Sequence, residues 1–395
     1  MRACGIIAEY NPFHNGHAYQ IEQIRNKLQP EVIIAVMSGN FLQRGEPAIV
    51  DKWTRTQMAL AGGVDLVVEL PVPFSTQAAD YFAKGALQVL SHLEIDALSF
   101  GVEAGSATDF LKGSQWMVAY EKQIETEIKQ TASFNAPYAQ QVEEVVTKLA
   151  PDFPLHLNTP NNQLGFAYVK EIVRRGLVDR IELLPLARKG AAYHDQDLHA
   201  QTSIASATAL RRAALNGENI AAYIPQAAYP YFKEAQAAFV TWEEYFPYLQ
   251  YQLTVQSEKE LRKIYQMNEG LEYRLKANIQ KATSFEKFIQ KIKTKRYTQT
   301  SLQRLLTYTL LQWSRPEIEH ALKDVNAIHV LGFTEKGREY LRQQRNKSKA
   351  QLISNVNQKN ADNLSFDIAA GEIYRLGKSS FISKQDFTRK PVKID

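Results

Sequence analysis

Short apolar runs alternate with stretches of helical periodicity along the first half of the chain. The runs that predict buried strands are Ala3–Ala8, Val32–Met37, Val64–Leu70, Ile95–Phe100 and Ile181–Leu186. The stretches that predict helices are Ala18–Leu28, Asp51–Ala61, Asp80–Leu90, Gln115–Gln130, Ala139–Leu149 and Gln163–Arg175. This βαβ alternation predicts an α/β fold, a doubly wound five-stranded parallel sheet over residues 1–207 with ligands at the carboxyl ends of the strands.

The pattern of the chain changes after Asp197. Residues 208–325 are predicted to be mostly helical, with helices that include Glu272–Gln280, Ser284–Lys293 and Thr300–Trp313. Residues 326–395 predict a small α/β unit that ends in a weakly structured tail beyond Ser379, and its elements are strands Ala327–Gly332 and Ala350–Ser354 and helices Thr334–Gln344 and Asn363–Leu376. The sequence therefore predicts three domains: 1–207, 208–325 and 326–395.

Composition narrows the class of protein. The 395 residues are 45% hydrophobic and 23% charged, an ordinary globular balance. The single cysteine, Cys4, lies inside the first predicted strand, so neither an intramolecular disulfide nor a cysteine-based zinc cluster is expected. No secretory signal and no apolar segment of about 20 residues is evident, which predicts a cytoplasmic protein that does not span a membrane.

The net charge of +5 is unevenly distributed. Residues 251–300 carry eleven Lys or Arg against five Glu, so this segment alone contributes +6 and the remainder is nearly neutral. Lys287, Lys291 and Lys295 recur at four-residue spacing along one predicted helical face, and Arg296 extends the basic region. Concentrated charge indicates a polyanionic partner for this segment, although a merely solvated face is the alternative for three lysines. Lys336, Arg338, Arg342 and Arg345 are further basic candidates.

The segment Asn11–His17 carries the clearest candidate chemistry, because the first predicted strand ends there in a turn and enters a helix near Gly16. A helix that starts above a strand points its free amides and its dipole at a bound anion. Gly16 leaves room for a nucleotide against the backbone, and His14 and His17 are positioned to stabilise charge on departing pyrophosphate. A buried histidine pair or half of a metal site is the alternative.

A second group is needed across such a cleft to hold the β and γ phosphates. Ser206 and Thr208 precede a helical run after the fifth predicted strand and supply hydroxyls that cap it. Arg211 follows three residues beyond Thr208, where its planar guanidinium is placed to bind phosphate oxygens in a bidentate manner.

These two motifs resemble those of nucleotidyltransferases that share their fold with class I aminoacyl-tRNA synthetases. The fuller pattern resembles the bacterial tRNA(Met) cytidine acetate ligase family over the whole chain, on the segments Ile7–Gln20, Met37–Ala48, Asp51–Arg55 and Gly190–Asp195. The resemblance implies ATP-dependent formation of acetyl-adenylate, followed by transfer of the acetyl group to N4 of the wobble cytidine of elongator tRNA(Met). It implies acetate, ATP and elongator tRNA(Met) as partners, with no obligatory protein partner.

The resemblance also implies a set of site residues. His14, His17 and Arg211 would be catalytic, magnesium would accompany ATP, and no metal would be held tightly by the protein. With tRNA as the substrate, Lys287, Lys291, Lys295 and Arg296 would bind it, an expectation that rests on their charge. ATP would contact Ser206, Thr208 and the family positions Ile7, Ala8, Glu9, Tyr10, Asn11, Pro12, Phe13, His14, Asn15, Gly16, His17, Ala18, Tyr19, Gln20, Gly101, Asn162, Ala187 and Arg188.

Two other functions fit part of the same pattern. A nucleotidyltransferase that adenylylates a small phosphorylated metabolite would explain both ATP motifs, but not the long basic region after them. A non-catalytic tRNA-binding protein would explain the basic region, but not the intact His14, Gly16, His17 and Arg211. The fate of labelled acetate, with ATP and with or without tRNA, separates the three.

Overall fold

A parallel sheet forms the centre of the first half of the chain, as the apolar runs predict. The computed structural model describes residues 1–131, 138–157, 159–188, 203–268 and 270–394. Its first five strands pair in the order β5-β4-β1-β2-β3, all parallel. They are β1 (Ala3–Ala8), β2 (Val32–Ser38), β3 (Leu66–Leu70), β4 (Ala97–Val102) and β5 (Glu182–Ala187). Successive strands are added on one side of β1 up to β3 and on its other side from β4 onward, so the strand order reverses between β1 and β4, where such sheets open a crevice for ligands.

Helices cover both faces of this sheet. Those of the first half are α1 (Asn15–Leu28), α2 (Lys52–Ala61), α3 (Val72–Ser75), α4 (Ala79–His92), α5 (Ala107–Ala119), α6 (Glu121–Thr131), α7 (Tyr138–Leu149) and α8 (Pro160–Arg174). The single helix predicted over Gln115–Gln130 is wrong, since α5 ends at Ala119 and α6 starts at Glu121. The short α3 was not predicted, because four residues carry no readable periodicity.

The middle of the chain is helical, as expected. It contains α9 (Ala207–Leu215), α10 (Tyr229–Glu234), α11 (Trp242–Val255), α12 (Glu258–Leu261), α13 (Leu271–Ile279), α14 (Phe285–Ile292), α15 (Gln299–Leu311) and α16 (Arg315–Ala321). The apolar side chains of α11 to α16 join those on one face of the sheet in a continuous core, in which Leu98 of β4 and Leu306 of α15 are both fully buried. Those of α9 and α10 belong to the core on the other face. None of the helices in the described part of the chain is long and apolar enough to cross a membrane.

The last segment extends the sheet beyond the five strands that the sequence predicts. It contains β6 (Ala327–Phe333), α17 (Glu335–Gln344), β7 (Gln351–Ile353), α18 (Ser365–Arg375), α19 (Gln385–Thr388) and β8 (Val392–Lys393). Strand β6 pairs antiparallel with β3, while β7 and β8 pair parallel with β6, giving eight strands. The division at 207 and 325 stays a prediction, but the strands of the last segment belong to the same sheet.

The expectation of a weakly structured tail after Ser379 is wrong. In α19, Asp386 is buried and lies 2.6 Å from Nζ of Lys52, at the start of α2. Strand β8 then pairs with the end of β6. Charged and polar composition made this stretch look solvated, whereas its attachment depends on residues more than three hundred positions earlier.

Candidate active site

A cleft of about 260 Å³ opens at the carboxyl ends of β1, β4 and β5. Its floor is formed by the end of β1 and by Gly101 and Ala187 from the two neighbouring strands. Helix α1 starts on one side of this opening and α9 starts on the other. Two helix N-termini therefore face a common space above the sheet, the arrangement that favours a bound anion.

His14 is the N-cap of α1 and fixes its own orientation and that of His17. The Nδ1 atom of His14 accepts a hydrogen bond from the amide of Gly16 at 3.0 Å. The Nδ1 atom of His17 accepts one from the amide of His14 at 3.2 Å, which closes a capping box. Because each Nδ1 accepts a hydrogen bond, each neutral ring carries its own proton on Nε2, which leaves a donor on both imidazoles.

The two imidazoles are kept neutral by their surroundings. Their ring centroids are 3.8 Å apart. Burial, with Arg188 and Arg211 nearby, lowers the pKa of His14 to about 3. Burial and the neighbouring His14 hold the pKa of His17 well below its usual range. The pair can thus donate hydrogen bonds to an anion without itself changing charge at neutral pH.

The ring of His14 also explains why position 16 is glycine. A Cβ atom on Gly16 would lie 2.8 Å from Cε1 of His14, closer than real contacts allow. The sequence interpretation assigned this room to a nucleotide, whereas the structure fills it with the His14 imidazole. Glycine is required here for the packing that orients the histidine.

Arg211 reaches the same cleft from α9. Ser206 is the N-cap of this helix, and its hydroxyl accepts from the amide of Ala209 at 3.0 Å. The guanidinium of Arg211 donates to the carbonyl of Asn11 at 2.9 Å and lies 3.4 Å from a carboxylate oxygen of Glu46. The two predicted motifs, 200 residues apart, therefore meet directly.

Asn11 lines the cleft and has a side-chain donor that is not used within the described residues. Its Oδ1 accepts from the amide of Ile49 at 2.8 Å, which fixes the orientation of the side-chain amide. Its Nδ2 is buried and has no hydrogen-bond partner among the described residues. A buried donor without a partner costs free energy, so this atom is suited to a ligand oxygen.

The cleft brings together most of the residues predicted to contact ATP. Those that line it are Ile7, Ala8, Glu9, Tyr10, Asn11, His14, Gly16, His17, Tyr19, Gln20, Gly101, Ala187, Arg188, Ser206, Thr208 and Arg211. Pro12, Phe13, Asn15, Ala18 and Asn162 do not line it. The amide of Asn15 instead donates to the carbonyls of Ser203 and Ala222, tying α1 to the segment before α9.

The predicted contact at Asn162 falls one residue from the cleft. The buried Oδ1 of Asn162 accepts from the amide of Glu103 at 3.0 Å, and its Nδ2 donates to the carbonyl of His156 at 3.2 Å. Asn161 lines the cleft and accepts from Arg188 at 3.4 Å. The side chain of Asn162 therefore supports the loop after β4, and Asn161 is the amide that a ligand would meet.

Arg44 and Glu46 were not among the predicted site residues, yet both line the cleft. They follow β2 in a loop whose Gly45 has φ of +71° and packs on the backbone of α15. A Cβ atom at Gly45 would lie 2.2 Å from the amide nitrogen of Arg304. A glycine between two charged residues after a predicted strand was the feature of the sequence that could have indicated this part of the site.

The side chain of Arg55 links the loops that follow β1 and β2. Its buried guanidinium and Nε donate to the carbonyls of Glu9, Ser38, Gly39 and Val50. Because burial disfavours the charged form, its pKa is lowered. One side chain thus satisfies carbonyls at the ends of both β1 and β2, which positions the loops that carry Glu9 and Arg44.

A buried charged cluster lies beyond this site. Glu69, His329 and Asp386 are close enough in space to be candidate metal ligands. The ammonium of Lys52 already lies among them, 2.7 and 2.9 Å from the oxygens of Glu69 and 2.6 Å from Asp386. Burial by itself would raise the pKa of Glu69, but the positive charge of Lys52 and the hydrogen bond from His329 outweigh it and hold that pKa below its usual range. The lysine supplies the positive charge that a metal ion would bring.

The basic residues predicted to bind tRNA are exposed, but one of them is not where expected. Lys287 and Lys291 lie on α14, which ends at Ile292. Lys293 is extended, with ψ of 142°, so Lys295 and Arg296 lie in the connection to α15 and not on the helix face. The predicted helical spacing from Lys287 to Lys295 is therefore wrong, because the helix stops one turn early.

Two further features bear on the sequence predictions. Lys336, Arg338, Arg342 and Arg345 belong to α17 and its C-cap, whose Gly337 packs on the carbonyl of Asp65 at the beginning of β3. The beginnings of the parallel strands lie at the end of the sheet opposite to the cleft, which opens at their carboxyl ends. The segment Gly190–Asp195, one of those that carry the family resemblance, lies outside the described residues.

Comparison with known proteins assigns this architecture to a family. The HIGH Nucleotidyl Transferase family model matches residues 1–389. The tRNA(Met) cytidine acetate ligase of Streptococcus pneumoniae serotype 4 is 41% identical over the full length of both chains. The one from Anoxybacillus flavithermus is 41% identical over 90% of each chain, and the one from Bacillus subtilis 37% identical over 100% of this chain and 98% of its own. The chain belongs to the tRNA(Met) cytidine acetate ligase family.

Solved structures agree with this assignment. The crystal structure of apo Thermotoga maritima TmcAL matches with a TM-score of 0.91 at 28% identity, covering all of both chains. Thermotoga maritima TmcAL bound with alpha-thio ATP matches with a TM-score of 0.89 at 28% identity, over 100% of this chain and 99% of that one. A member of the family with this fold therefore binds an ATP analogue.

Proposed function

We propose that the protein is an ATP-dependent ligase that forms acetyl-adenylate and transfers the acetyl group to N4 of the wobble cytidine of elongator tRNA(Met). The observation that carries this proposal is the cleft in which His14, His17 and Arg211 converge from the N-termini of α1 and α9. Family membership over the full chain supports the substrates. A cytoplasmic location follows from a tRNA substrate.

In the first step an acetate oxygen attacks the α-phosphorus of ATP, and the bond from that phosphorus to the bridging oxygen of pyrophosphate breaks. The residues act by orientation and by stabilising the charge on the departing pyrophosphate. Both imidazoles donate from Nε2, the amide of Asn11 donates from Nδ2, and Arg211 exchanges its contact with Glu46 for phosphate oxygens. No protein nucleophile is required.

Magnesium is part of the proposal because ATP carries it. The ion prefers oxygen ligands and usually binds through substrate phosphates with one or two carboxylates. Glu9 and Glu46 are the carboxylates among the described residues of the cleft lining, so the donor set fits. When bound, the ion would neutralise phosphate charge, and Glu46 is freed for it when Arg211 turns to the phosphates.

In the second step the N4 amine of cytidine attacks the acetyl carbonyl, AMP leaves, and the amine loses a proton. The cytidine must leave its stack to reach the cleft. The basic residues Lys287, Lys291, Lys295 and Arg296 would hold the tRNA backbone through charge.

Labelled acetate provides the test. With ATP alone the protein is expected to form acetyl-adenylate and release pyrophosphate, and with elongator tRNA(Met) the label is expected in RNA as N4-acetylcytidine. Label in neither product would contradict the proposal. AMP transfer to a phosphorylated metabolite, with no dependence on acetate, would favour the nucleotidyltransferase alternative.

A further inference from the structure

A second pocket, of about 210 Å³, lies beside the helical region, behind the loop that carries Arg44. The residues that line it include Tyr297, Ser301, Leu302 and Arg304, together with Gln266 and Asn268. The pocket therefore combines an aromatic ring and an apolar wall with amide and guanidinium groups. None of these residues lines the ATP cleft.

Arg304 is the unusual member of this set. Burial lowers the pKa of its guanidinium, and the nearby Arg44 lowers it further. No carboxylate of the described residues forms an ion pair with Arg304, and its guanidinium donates to the carbonyl of Gln77, at 3.3 Å. Its Nε is buried and has no hydrogen-bond partner in the part of the chain that the structure describes. A largely desolvated cation without an opposite charge is costly, and a ligand with anionic or carbonyl oxygens would offset that cost.

The pocket lies next to the ATP cleft. The carbonyl of Gln77 accepts from Arg304 and also from Nε2 of Gln43, at 2.8 Å. The backbone N–H of Gln43 in turn donates to the carboxylate of Glu9, at 2.6 Å, and Glu9 lines the cleft. Gly45 packs against the backbone of Arg304, while its neighbour Arg44 lines the cleft. One loop, residues 43–45, therefore separates the two spaces.

The pocket also adjoins the predicted tRNA surface. Tyr297 follows Arg296 in the connection from α14 to α15, and the Arg296 guanidinium lies 5.6 Å from the centre of the Tyr297 ring. Basic residues, a pocket with an aromatic wall and the ATP cleft thus follow one another across the protein. This order matches an RNA strand that enters along its phosphates and presents one base to the cleft.

We propose that the pocket bounded by Tyr297 and Arg304 binds one unstacked nucleotide of the tRNA, adjacent in the RNA to the cytidine that enters the ATP cleft. Its base stacks on Tyr297, and its carbonyl oxygens accept from Arg304, with Gln266 and Asn268 reading the remaining polar edge. This inference rests on the proposed function, because it assumes a tRNA substrate.

The test measures tRNA acetylation and RNA-independent acetyl-adenylate formation side by side. Tyr297→Ala is expected to raise the KM for elongator tRNA(Met) roughly five- to 150-fold, the range for loss of one base–aromatic stack. Tyr297→Phe should retain the wild-type KM, and acetyl-adenylate formation should be unchanged in both. Lys27→Gln, which removes an exposed charge in the last turn of α1, is the control.

Arg304→Gln distinguishes ligand binding from a structural role. If Arg304 is retained for the RNA, replacing an uncompensated buried cation with a neutral amide should leave the melting temperature unchanged or raise it, while the KM for tRNA increases about tenfold or more. A lower melting temperature with an unchanged KM would mean that Arg304 only supports the fold, and would overturn the proposal.

Ligated tRNA(Met) with a single abasic nucleotide on one or the other side of the wobble cytidine identifies the occupant. When the missing base is the one that fills the pocket, the abasic tRNA should raise the KM of the wild-type protein by the same factor as Tyr297→Ala does with intact tRNA. Combining the abasic tRNA with the Tyr297→Ala variant should then raise the KM no further. If the KM effects of the variant and the abasic nucleotide multiply at both positions, the proposal is overturned. It is also overturned if Arg304→Gln raises the KM and Tyr297→Ala does not, because the pocket would then bind only a phosphate.

Failure of this inference is distinct from failure of the proposed function. If the wild-type protein acetylates tRNA(Met) and Tyr297→Ala does so with an unchanged KM, only the pocket assignment is wrong. If the wild-type protein forms no acetyl-adenylate and transfers no acetyl group, the proposed function fails, and with it the RNA assignment of the pocket.

Discussion

The guanidinium of Arg211 lies 3.4 Å from a carboxylate oxygen of Glu46, inside the cleft where phosphates are expected. Arg211 also donates to the carbonyl of Asn11 at 2.9 Å, which holds the arginine close to its proposed working position. A bound phosphate would compete with Glu46 for the same donors. Binding of ATP would therefore exchange one carboxylate partner for another anion, at little cost in side-chain order.

Arg211→Lys tests the geometry of this contact. A lysine preserves the charge but loses the planar pair of donors, so we expect acetyl-adenylate formation to fall roughly 10- to 150-fold, the scale of one lost charge-assisted hydrogen bond. Pyrophosphate release in the absence of tRNA measures this step. Normal adenylate formation with poor tRNA acetylation would instead assign Arg211 to RNA binding.

His17→Ala removes a proposed donor to the phosphates. The imidazole is half-buried and lines the cleft, so we expect the fold to persist while adenylate formation falls about 10²–10³-fold. Circular dichroism and thermal melting serve as the control for folding. Full adenylate formation by this variant would show that His17 only completes the capping box of α1.

His14 should make stability depend on pH. Its pKa is about 3 in the folded protein and about 6.5 in an unfolded chain, so the unfolded state binds the proton first as the pH falls. The stabilisation is fully present above about pH 6.5 and is lost toward pH 3. Between pH 7 and 5 this residue alone should lower the free energy of unfolding by about 2 kcal/mol.

His14→Asn isolates that effect, because asparagine is also a good N-cap but does not titrate. Urea unfolding of both proteins at pH 7 and pH 5 gives the comparison. The wild type should lose about 2 kcal/mol more than the variant over this interval. An equal loss in both would mean that His14 is not buried in its neutral form.

The sequence was sufficient where the determining interactions are local. The first strand is a continuous apolar run, and the turn and the glycine that lead into α1 follow it directly in the sequence, so the strand and the helix entry could both be predicted. Asn162 and Asn161 show the limit of such reasoning. Adjacent residues on a helix differ by about 100° in direction, and only the packing of the loop after β4 decides which amide faces the cleft.

Contacts between distant segments could not be predicted in this way. Lys52 and Asp386 are 334 positions apart and lie 2.6 Å from one another. Nothing in the local sequence of either residue indicates burial, and a lone lysine or aspartate is usually exposed. The end of α14 before Lys295 likewise depends on a turn closed by Thr294 and Tyr297, which the lysine spacing does not reveal.

The buried cluster around Lys52 supports a stability prediction. Lys52→Met leaves Glu69 and Asp386 buried without their cation, which should lower the free energy of unfolding by about 3–5 kcal/mol. Lys27→Met, at an exposed position of α1, should change it by less than about 0.5 kcal/mol. Equal effects in urea titrations would contradict the importance of the cluster.

Salt dependence provides the test of the basic surface formed by Lys287, Lys291, Lys295 and Arg296. Changing all four to Gln removes four positive charges without altering the ATP cleft. If each contacts a phosphate of the tRNA, the plot of log affinity against log salt should become shallower by about 3, while acetyl-adenylate formation persists. The matched control changes Lys336, Arg338, Arg342 and Arg345 to Gln, because α17 starts at the opposite edge of the sheet. If only the control variant has a flatter salt dependence, α17 binds the tRNA and the Lys287 set does not. If neither variant changes the slope, both sets of basic residues are merely solvated.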